Sequence, residues 1–246
     1  MTATLSPETT VGQMVRQRPA RSRVFETFKI DYCCGGKLSL AEACDKAQVD
    51  PRQVIEQLRL ADQRQDATQG AYTDADAMGL SELADHSEQT HHVYLRSELP
   101  RLDQMTHKVA SVHGDAEPRL HQLRQTFEAL RDELTSHMLK EERILFPMIR
   151  QIERSQALPA FHCGSLANPV AQMEHEHDVA GNALEQFRAL TDDYAAPDWA
   201  CNTYRAMLDG LATLEADLHQ HIHKENNVLF PRAMEREQAL AGKDGG

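Results

Sequence analysis

The segments His137-Met-Leu-Lys-Glu141-Glu-Arg-Ile-Leu-Phe-Pro147 and His221-Ile-His-Lys-Glu225-Asn-Asn-Val-Leu-Phe-Pro231 are near-copies, identical at six of eleven positions and offset by 84 residues. A histidine and a glutamate four residues apart lie on one face of a helix. The same stripe continues as Leu145 with Ile144 beside it in the first copy, and as Leu229 with Val228 beside it in the second. An apolar stripe faces a core, so each His–Glu pair points inward. An unpaired carboxylate is costly to bury, and burying two demands compensation. A pair of divalent cations bridged by the two glutamates would supply it.

On either side of these copies, four long helices are expected from Leu80 on. The first runs from about Ser81 to Val112, and the second from Pro118 to about Phe146 with a kink at Pro147. The third runs from Asn168-Pro169 to near Tyr194, and the fourth from Pro197-Asp198 to Phe230-Pro231. Short connections between long helices predict an up-down-up-down bundle. His92 and His177 are 85 residues apart, nearly the offset of the repeated motif. Each half thus carries one histidine early in its first helix and one His-x3-Glu late in its second. In an antiparallel bundle these positions share one depth, giving six candidate ligands: His92, His137, Glu141, His177, His221 and Glu225.

Neighbouring residues compete for some of these places. His91 and His86 are rivals of His92, and His175 and Glu174 are rivals of His177. Glu174 forms a Glu-x-x-His pair with His177, a ligand pattern of di-iron carboxylate bundles. His219 and His223 flank His221 but are rotated from its face, so exposed or supporting roles are expected for them. His113 lies 21 residues beyond His92, roughly 30 Å along a continuous helix, and is excluded. His107, His121 and His162 have no partner spacing and read as surface or core histidines. Four imidazoles and two carboxylates suit Fe, Mn, Zn or Cu. Carboxylate bridging favours iron or manganese, and zinc more often takes fewer ligands. Six ligands for two ions leave positions for water, an oxo group or a diatomic molecule.

The rest of the chain bounds the function. The net charge is −12 in 246 residues, which argues against nucleic acid as a partner because phosphate binding needs a basic face. No signal peptide is evident at the N-terminus, and no apolar run approaches the ~20 residues of a membrane-spanning helix. The expectation is a cytoplasmic protein, and five cysteines fit a reducing compartment rather than a disulfide framework. All thirteen histidines fall between His86 and His223, so the two parts of the chain differ in chemistry. Residues 1–62 read as a small domain of short helices, with capping boxes at Thr10-x-x-Gln13 and Ser39-x-x-Glu42 and a helix start at Asp50-Pro51. Residues 63–79 read as a linker and residues 80–246 as the bundle. Within the small domain, Asp31-Tyr-Cys33-Cys34-Gly-Gly36 marks a turn. Adjacent cysteines rarely bind one metal together, because their side chains are expected to point apart, and a neighbouring helix start is expected to lower a thiol pKa. Redox chemistry, metal binding, iron transfer and a plain structural role all stay open for Cys33 and Cys34. Cys44, Cys163 and Cys201 carry no pattern.

At Asp31-Tyr-Cys-Cys-Gly-Gly36, His137–Pro147, Met173-Glu-His-Glu-His177-Asp and Glu225-Asn-Asn-Val-Leu-Phe-Pro231, the chain resembles the RIC (repair of iron centres) family of ScdA/YtfE type over nearly its whole length. The resemblance implies an all-α protein, with an ScdA-like N-terminal domain followed by a haemerythrin-like four-helix bundle holding a non-haem di-iron centre. It implies His92, His137, His177 and His221 as terminal ligands and Glu141 and Glu225 as bridges. Cys33 and Cys34 match the family's cysteine motif, to which repair is tied. The resemblance further implies cytoplasmic repair of iron–sulfur clusters in apo or damaged proteins under nitrosative and oxidative stress, by iron donation. A nitric-oxide-reducing activity and a homodimer are also implied by it; a module that senses or stores nitric oxide or oxygen at the open positions, without turnover, is the alternative function for such a site.

Overall fold

The computed structural model describes residues 5–68 and 75–242, and helices account for its regular structure. In the N-terminal part, α1 (Val11–Gln17) starts at Thr10, whose hydroxyl accepts from the amide of Gln13 at 3.3 Å. A 3-10 turn, Pro19–Arg21, leads into α2 (Ser22–Thr27). The capping box at α3 (Leu40–Ala47) is complete: Ser39 and Glu42 satisfy each other's amides. Asp50 accepts from the amide of Arg52 at 2.9 Å and opens α4 (Pro51–Thr68). Val11, Met14, Phe25, Leu40, Val54 and Leu58 form the core of this part. Arg21, 1% exposed, pins α4 to it through two bonds of 2.7 and 2.9 Å to Asp62.

Residues 63–68 of the expected linker are helical, because α4 continues to Thr68. Gln, Arg and Ala are good helix formers even where no apolar pattern marks a helix. The part of that linker at residues 69–74 lies outside the described residues.

The bundle comes next. Its first helix is α5 (Leu80–His86), a π turn at Ser87–His92, and α6 (Val93–His113). Its second is α7 (Arg119–Lys140), a π turn at Glu141–Leu145, and α8 (Phe146–Arg154). The third is α9 (Ala167–Leu190). The fourth is α10 (Asn202–Lys224), a π turn at Glu225–Leu229, and α11 (Phe230–Ala241). α7 packs against α6 and α9, and α10 against α6. No helix among the described residues is long and apolar enough to cross a membrane.

Two helix ends differ from expectation. The third stops at Leu190 rather than near Tyr194, because Asp192, Asp193 and Tyr194 all take left-handed backbone (φ 50°, 60° and 62°). The fourth begins at Asn202 rather than at Pro197. The carbonyls of Pro197, Asp198 and Ala200 are drawn to the Arg205 guanidinium at 3.0–3.2 Å.

The three π turns carry the architecture of the site. Each adds a residue to one turn and rotates the residues beyond it, and each contains a candidate ligand: His92, Glu141 or Glu225. The rotation overturns one expectation, for Ile144 is 51% exposed while Leu145 and Phe146 are buried. In the second copy Val228 is buried, because that face lies under the N-terminal part. Asn227 sits there against Gly12 and Gly36, with an ideal Cβ at either glycine only 2.4 Å from its Oδ1. This placement accounts for the difference between Arg143, which is exposed, and Asn227, which is covered by the N-terminal part. Apolar layers close the bundle on both sides of the candidate ligands. Leu95, Leu134, Met138 and Ile222 lie on one side, and Leu145, Phe146, Leu229 and Phe230 on the other.

Candidate metal centre

The structure brings all six expected residues together. His92, Glu141, His221 and Glu225 form one group, and His137, Glu141, His177 and Glu225 form a second, with ligand atoms within 4.8 Å of one another in each. Glu141 and Glu225 belong to both. His92 Nε2 and His137 Nε2 lie 3.2 and 3.3 Å from Glu141 Oε2. His177 Nε2 is 3.3 Å from Glu225 Oε2, and His221 Nε2 is 3.0 Å from Glu225 Oε1. His137 and His177 face each other, Nε2 to Nε2, at 3.2 Å. Two donors that share one ion through ~2.1 Å bonds stand about 3.0–3.4 Å apart, which these spacings match.

The electrostatics asks for cations. Burial and the charge of Glu225 both oppose ionisation of Glu141, yet His137 and His92 hold its carboxyl below the usual range. Burial likewise opposes Glu225, but His221 and His177 hold it well below that range. Burial works against a charge on His137, and the surrounding Glu141, Glu176 and Glu225 overcome it, pushing His137 up to about 10. Protons on imidazole are thus one way to balance two buried carboxylates. Divalent cations are the other. His92 Nε2, both oxygens of Glu141 and Glu225 Oε2 are buried without a hydrogen-bond partner among the described residues. Imidazole nitrogens stand 3.2–3.3 Å from Glu141 Oε2 and Glu225 Oε2 without the alignment of a hydrogen bond; a site balanced by protons alone would align those contacts, whereas one built for cations aims lone pairs at the ion. The donor set fits a pair of borderline ions.

Outer contacts orient the ligands. His92 Nδ1 meets Glu142 at 2.7 Å, and Arg96 holds that carboxylate. His137 Nδ1 meets Glu176 at 2.9 Å, and Glu176 also takes bonds from Lys140 and Gln172. The His137 bond, against the opposing effect of burial, brings Glu176 down to about 2. His177 Nδ1 meets Asn226 Oδ1 at 2.8 Å, and Ser87 donates to Glu225 at 2.7 Å. His221 is the exception: its Nδ1 has no partner among the described residues. Its ring instead stacks on His91 at 4.9 Å, and His91 is held by Asp217 and Lys224 at 2.9 and 3.0 Å. His91 therefore backs the site while its neighbour His92 faces it.

The other rivals lie elsewhere. Glu174 points outward and pairs with Lys37 at 3.0 Å, and His175 is exposed. His113 sits near Cys201 at 3.2 Å, remote from the ligands. His107, His121 and His162 are exposed. His223 is buried and meets the carbonyl of Tyr32 at 3.3 Å. Sequence reasoning missed Glu142, Glu176 and Asn226. Glu176 had a readable signal, for it lies on the buried Met173–Ala180 stripe of α9.

The cysteine turn departs from expectation in two ways. The sulfurs of Cys33 and Cys34 do not point apart but lie 4.0 Å from each other. Nor is the Cys33 thiol lowered: its bond with Cys34, burial and Asp31 push it up. The next α-helix starts only at Leu40 and is capped by Ser39, so it offers the thiols no free amides. Cys34 donates to the carbonyl of His177 at 3.4 Å, which ties the turn to a candidate ligand's backbone.

Comparison with known proteins agrees with this architecture. Residues 83–233 match the family described as the hemerythrin HHE cation binding domain. Residues 7–62 match ScdA_N, described as a domain of unknown function. The chain is 39% identical over 230 residues to the iron-sulfur cluster repair protein YtfE of Musicola paradisiaca, covering 94% of this chain and 98% of that one. It is 39% identical to the protein of the same description from Dickeya chrysanthemi, with 92% and 97% covered. Similarity to the Escherichia coli O157:H7 protein is also 39%, with 91% and 96% covered.

Proposed function

The chain belongs to the ScdA/YtfE-type family of iron-centre repair proteins, with a hemerythrin HHE cation-binding bundle, and from this membership we propose that it repairs iron–sulfur clusters by supplying iron from a two-iron site. Iron is then cargo held by His92, His137, His177 and His221, with Glu141 and Glu225 shared between the two ions. The observation that carries this reading is the pair of four-residue donor groups with both glutamates in common. Soft thiolate ligands suit iron–sulfur clusters and imidazole also suits iron, so a histidine–carboxylate store and a cysteine-ligated acceptor can hold the same ion. The clients are apo or damaged iron–sulfur proteins, and the protein acts in the cytoplasm as a homodimer. The test supplies iron-loaded protein to an apo iron–sulfur enzyme and monitors recovery of its activity. Full repair by Glu141→Leu or Glu225→Leu protein would sink the reading.

A second reading is favoured by one feature. A cavity of about 10 Å³ lies beside His137, His177 and His221, walled by Leu134, Ala180, Leu218 and Ile222. It has room for about one water-sized molecule and its walls are largely apolar, which suits nitric oxide or oxygen. Reduced iron bound at the centre would supply the electrons and the open positions for nitric oxide reduction. The side chains would keep water out and hold the ligand beside the histidines. Anaerobic mixing of reduced protein with nitric oxide decides between outcomes: nitrous oxide supports reduction, and a stable adduct supports sensing or binding alone.

A further inference from the structure

The cysteine turn holds a donor set of its own, apart from the four-histidine centre. Asp31 Oδ1 accepts from the Cys33 amide at 2.9 Å and Asp31 Oδ2 from the Gly35 amide at 2.8 Å. The carboxylate is thereby aimed at the sulfurs, with Oδ1 3.1 Å from Cys33 Sγ. One carboxylate oxygen and both sulfurs lie within 4.8 Å of one another. Two thiolates on one tetrahedral ion with ~2.3 Å bonds stand about 3.8 Å apart. The observed 4.0 Å between Cys33 and Cys34 requires little movement.

We propose that Asp31, Cys33 and Cys34 form a third metal site, for a borderline-soft divalent cation such as Fe2+, with a coordination position left open toward the cleft between the N-terminal part and the bundle. The cleft, about 810 Å³, is lined by both cysteines and by Lys37, Asp178, Arg188 and Glu215, among others. Three donors leave a tetrahedral ion one position short. The cleft is where a cysteine thiolate of an acceptor protein can complete the set. Binding is a proton exchange without electron transfer: one cation enters, the two thiols release two protons, and the Asp31 carboxylate stays ionised. Cys33 gives up its bond to Asp31, and Cys34 its bond to the His177 carbonyl, in exchange for bonds to the ion. The site is backed against α9, the helix that carries His177. The choice of Fe2+ and of a cysteine acceptor rests on the repair reading, whereas the donor set rests on geometry.

The test uses full-length protein with iron already in the bundle, reduced thiols, and Co2+ as the probe. Cys163 and Cys201 are exposed, so the measurement is made in a Cys163→Ser/Cys201→Ser background. The expected result is one additional Co2+ per chain, a thiolate-to-cobalt charge-transfer band, and release of two protons. Cys33→Ser or Cys34→Ser should abolish the band. Asp31→Asn, which keeps the size of the side chain but can accept only one of the two turn amides, should weaken binding by roughly tenfold or more. Absence of the band, or its survival in the double Cys33→Ser/Cys34→Ser protein, overturns the site. Loss of cobalt binding with cluster repair intact would remove the third site and leave the repair reading standing. A normal cobalt site in a protein that repairs nothing would do the reverse.

Discussion

Asn227, on the π turn that carries Glu225, donates its side-chain amide to the carbonyl of Cys33 at 3.2 Å. Together with the contact of Cys34 with the His177 carbonyl, this bond joins the candidate metal centre to the cysteine turn, and Gly12 and Gly36 leave room for it. The glycine serves space here and not backbone conformation, since among the described glycines only Gly164 has a positive φ.

Gly36→Ala should therefore loosen the cysteine turn from the bundle. Its Cβ would sit 2.4 Å from Asn227 Oδ1 and 2.9 Å from Nδ2, an overpacking that costs about 1–3 kcal/mol. Cys33 is 3% exposed, so its labelling by a thiol reagent reports the opening. Gly36→Ala should accelerate labelling roughly tenfold or more at that cost, and adding Asn227→Ala, which relieves the clash but removes the bond to Cys33, should restore the protection only in part. Unchanged labelling in Gly36→Ala would show that the contact does not hold the parts together.

Glu141→Leu removes a carboxylate common to both donor groups. Metal analysis should find at least one fewer iron per chain than in the wild type. Two retained irons would mean that Glu141 does not bridge.

His91→Ala leaves every candidate ligand in place but removes the ring stacked on His221. Because Nδ1 of His221 lacks the outer partner that His92, His137 and His177 have, stacking is what orients it. Chelator competition should show metal affinity reduced by roughly 10–100-fold, the range for lost orienting contacts. Glu142→Gln should act similarly through His92. Wild-type affinity in His91→Ala would assign His91 a packing role only.

Glu153 caps α5 from α8, accepting from the amides of Leu80 at 2.6 Å and Ser81 at 3.0 Å and from the Ser81 hydroxyl. Burial raises its pKa, but these bonds outweigh burial and hold it below the usual carboxylate range. A carboxylate with a depressed folded-state pKa contributes stability that is complete above its unfolded value, about 4.3. That contribution is lost as pH falls through the folded value. Glu153→Gln should lower stability by roughly 1 kcal/mol at neutral pH, and urea unfolding at pH 7 and below pH 4 should show the gap closing. A gap that stays constant with pH would indicate lost packing instead.

Much of the centre was legible along the chain because its ligands repeat. The His-x3-Glu copies and the 85-residue spacing of His92 and His177 encode helix face and depth, which are local properties of a 3.6-residue period. The capping box at Ser39 and Glu42 was readable for the same reason. Helix ends at Leu190 and Asn202 were not, since side-chain bonds and left-handed residues decide them. Nor was the outward turn of Ile144, because a π turn breaks the period on which the reading depends.

Amphipathic periodicity, set residue by residue, was enough to specify an all-helical chain, a bundle, and two inward-facing His-x3-Glu pairs. Packing in three dimensions had to choose between His91 and His92 and between His177 and its rivals His175 and Glu174, and it alone made the sulfurs of Cys33 and Cys34 converge. Those choices turn on rotations of a fraction of a helical turn and on contacts between residues as much as 194 positions apart. Neighbouring residues in a helix look alike to a pattern, and only packing against a second element separates the one that faces the site from the one behind it.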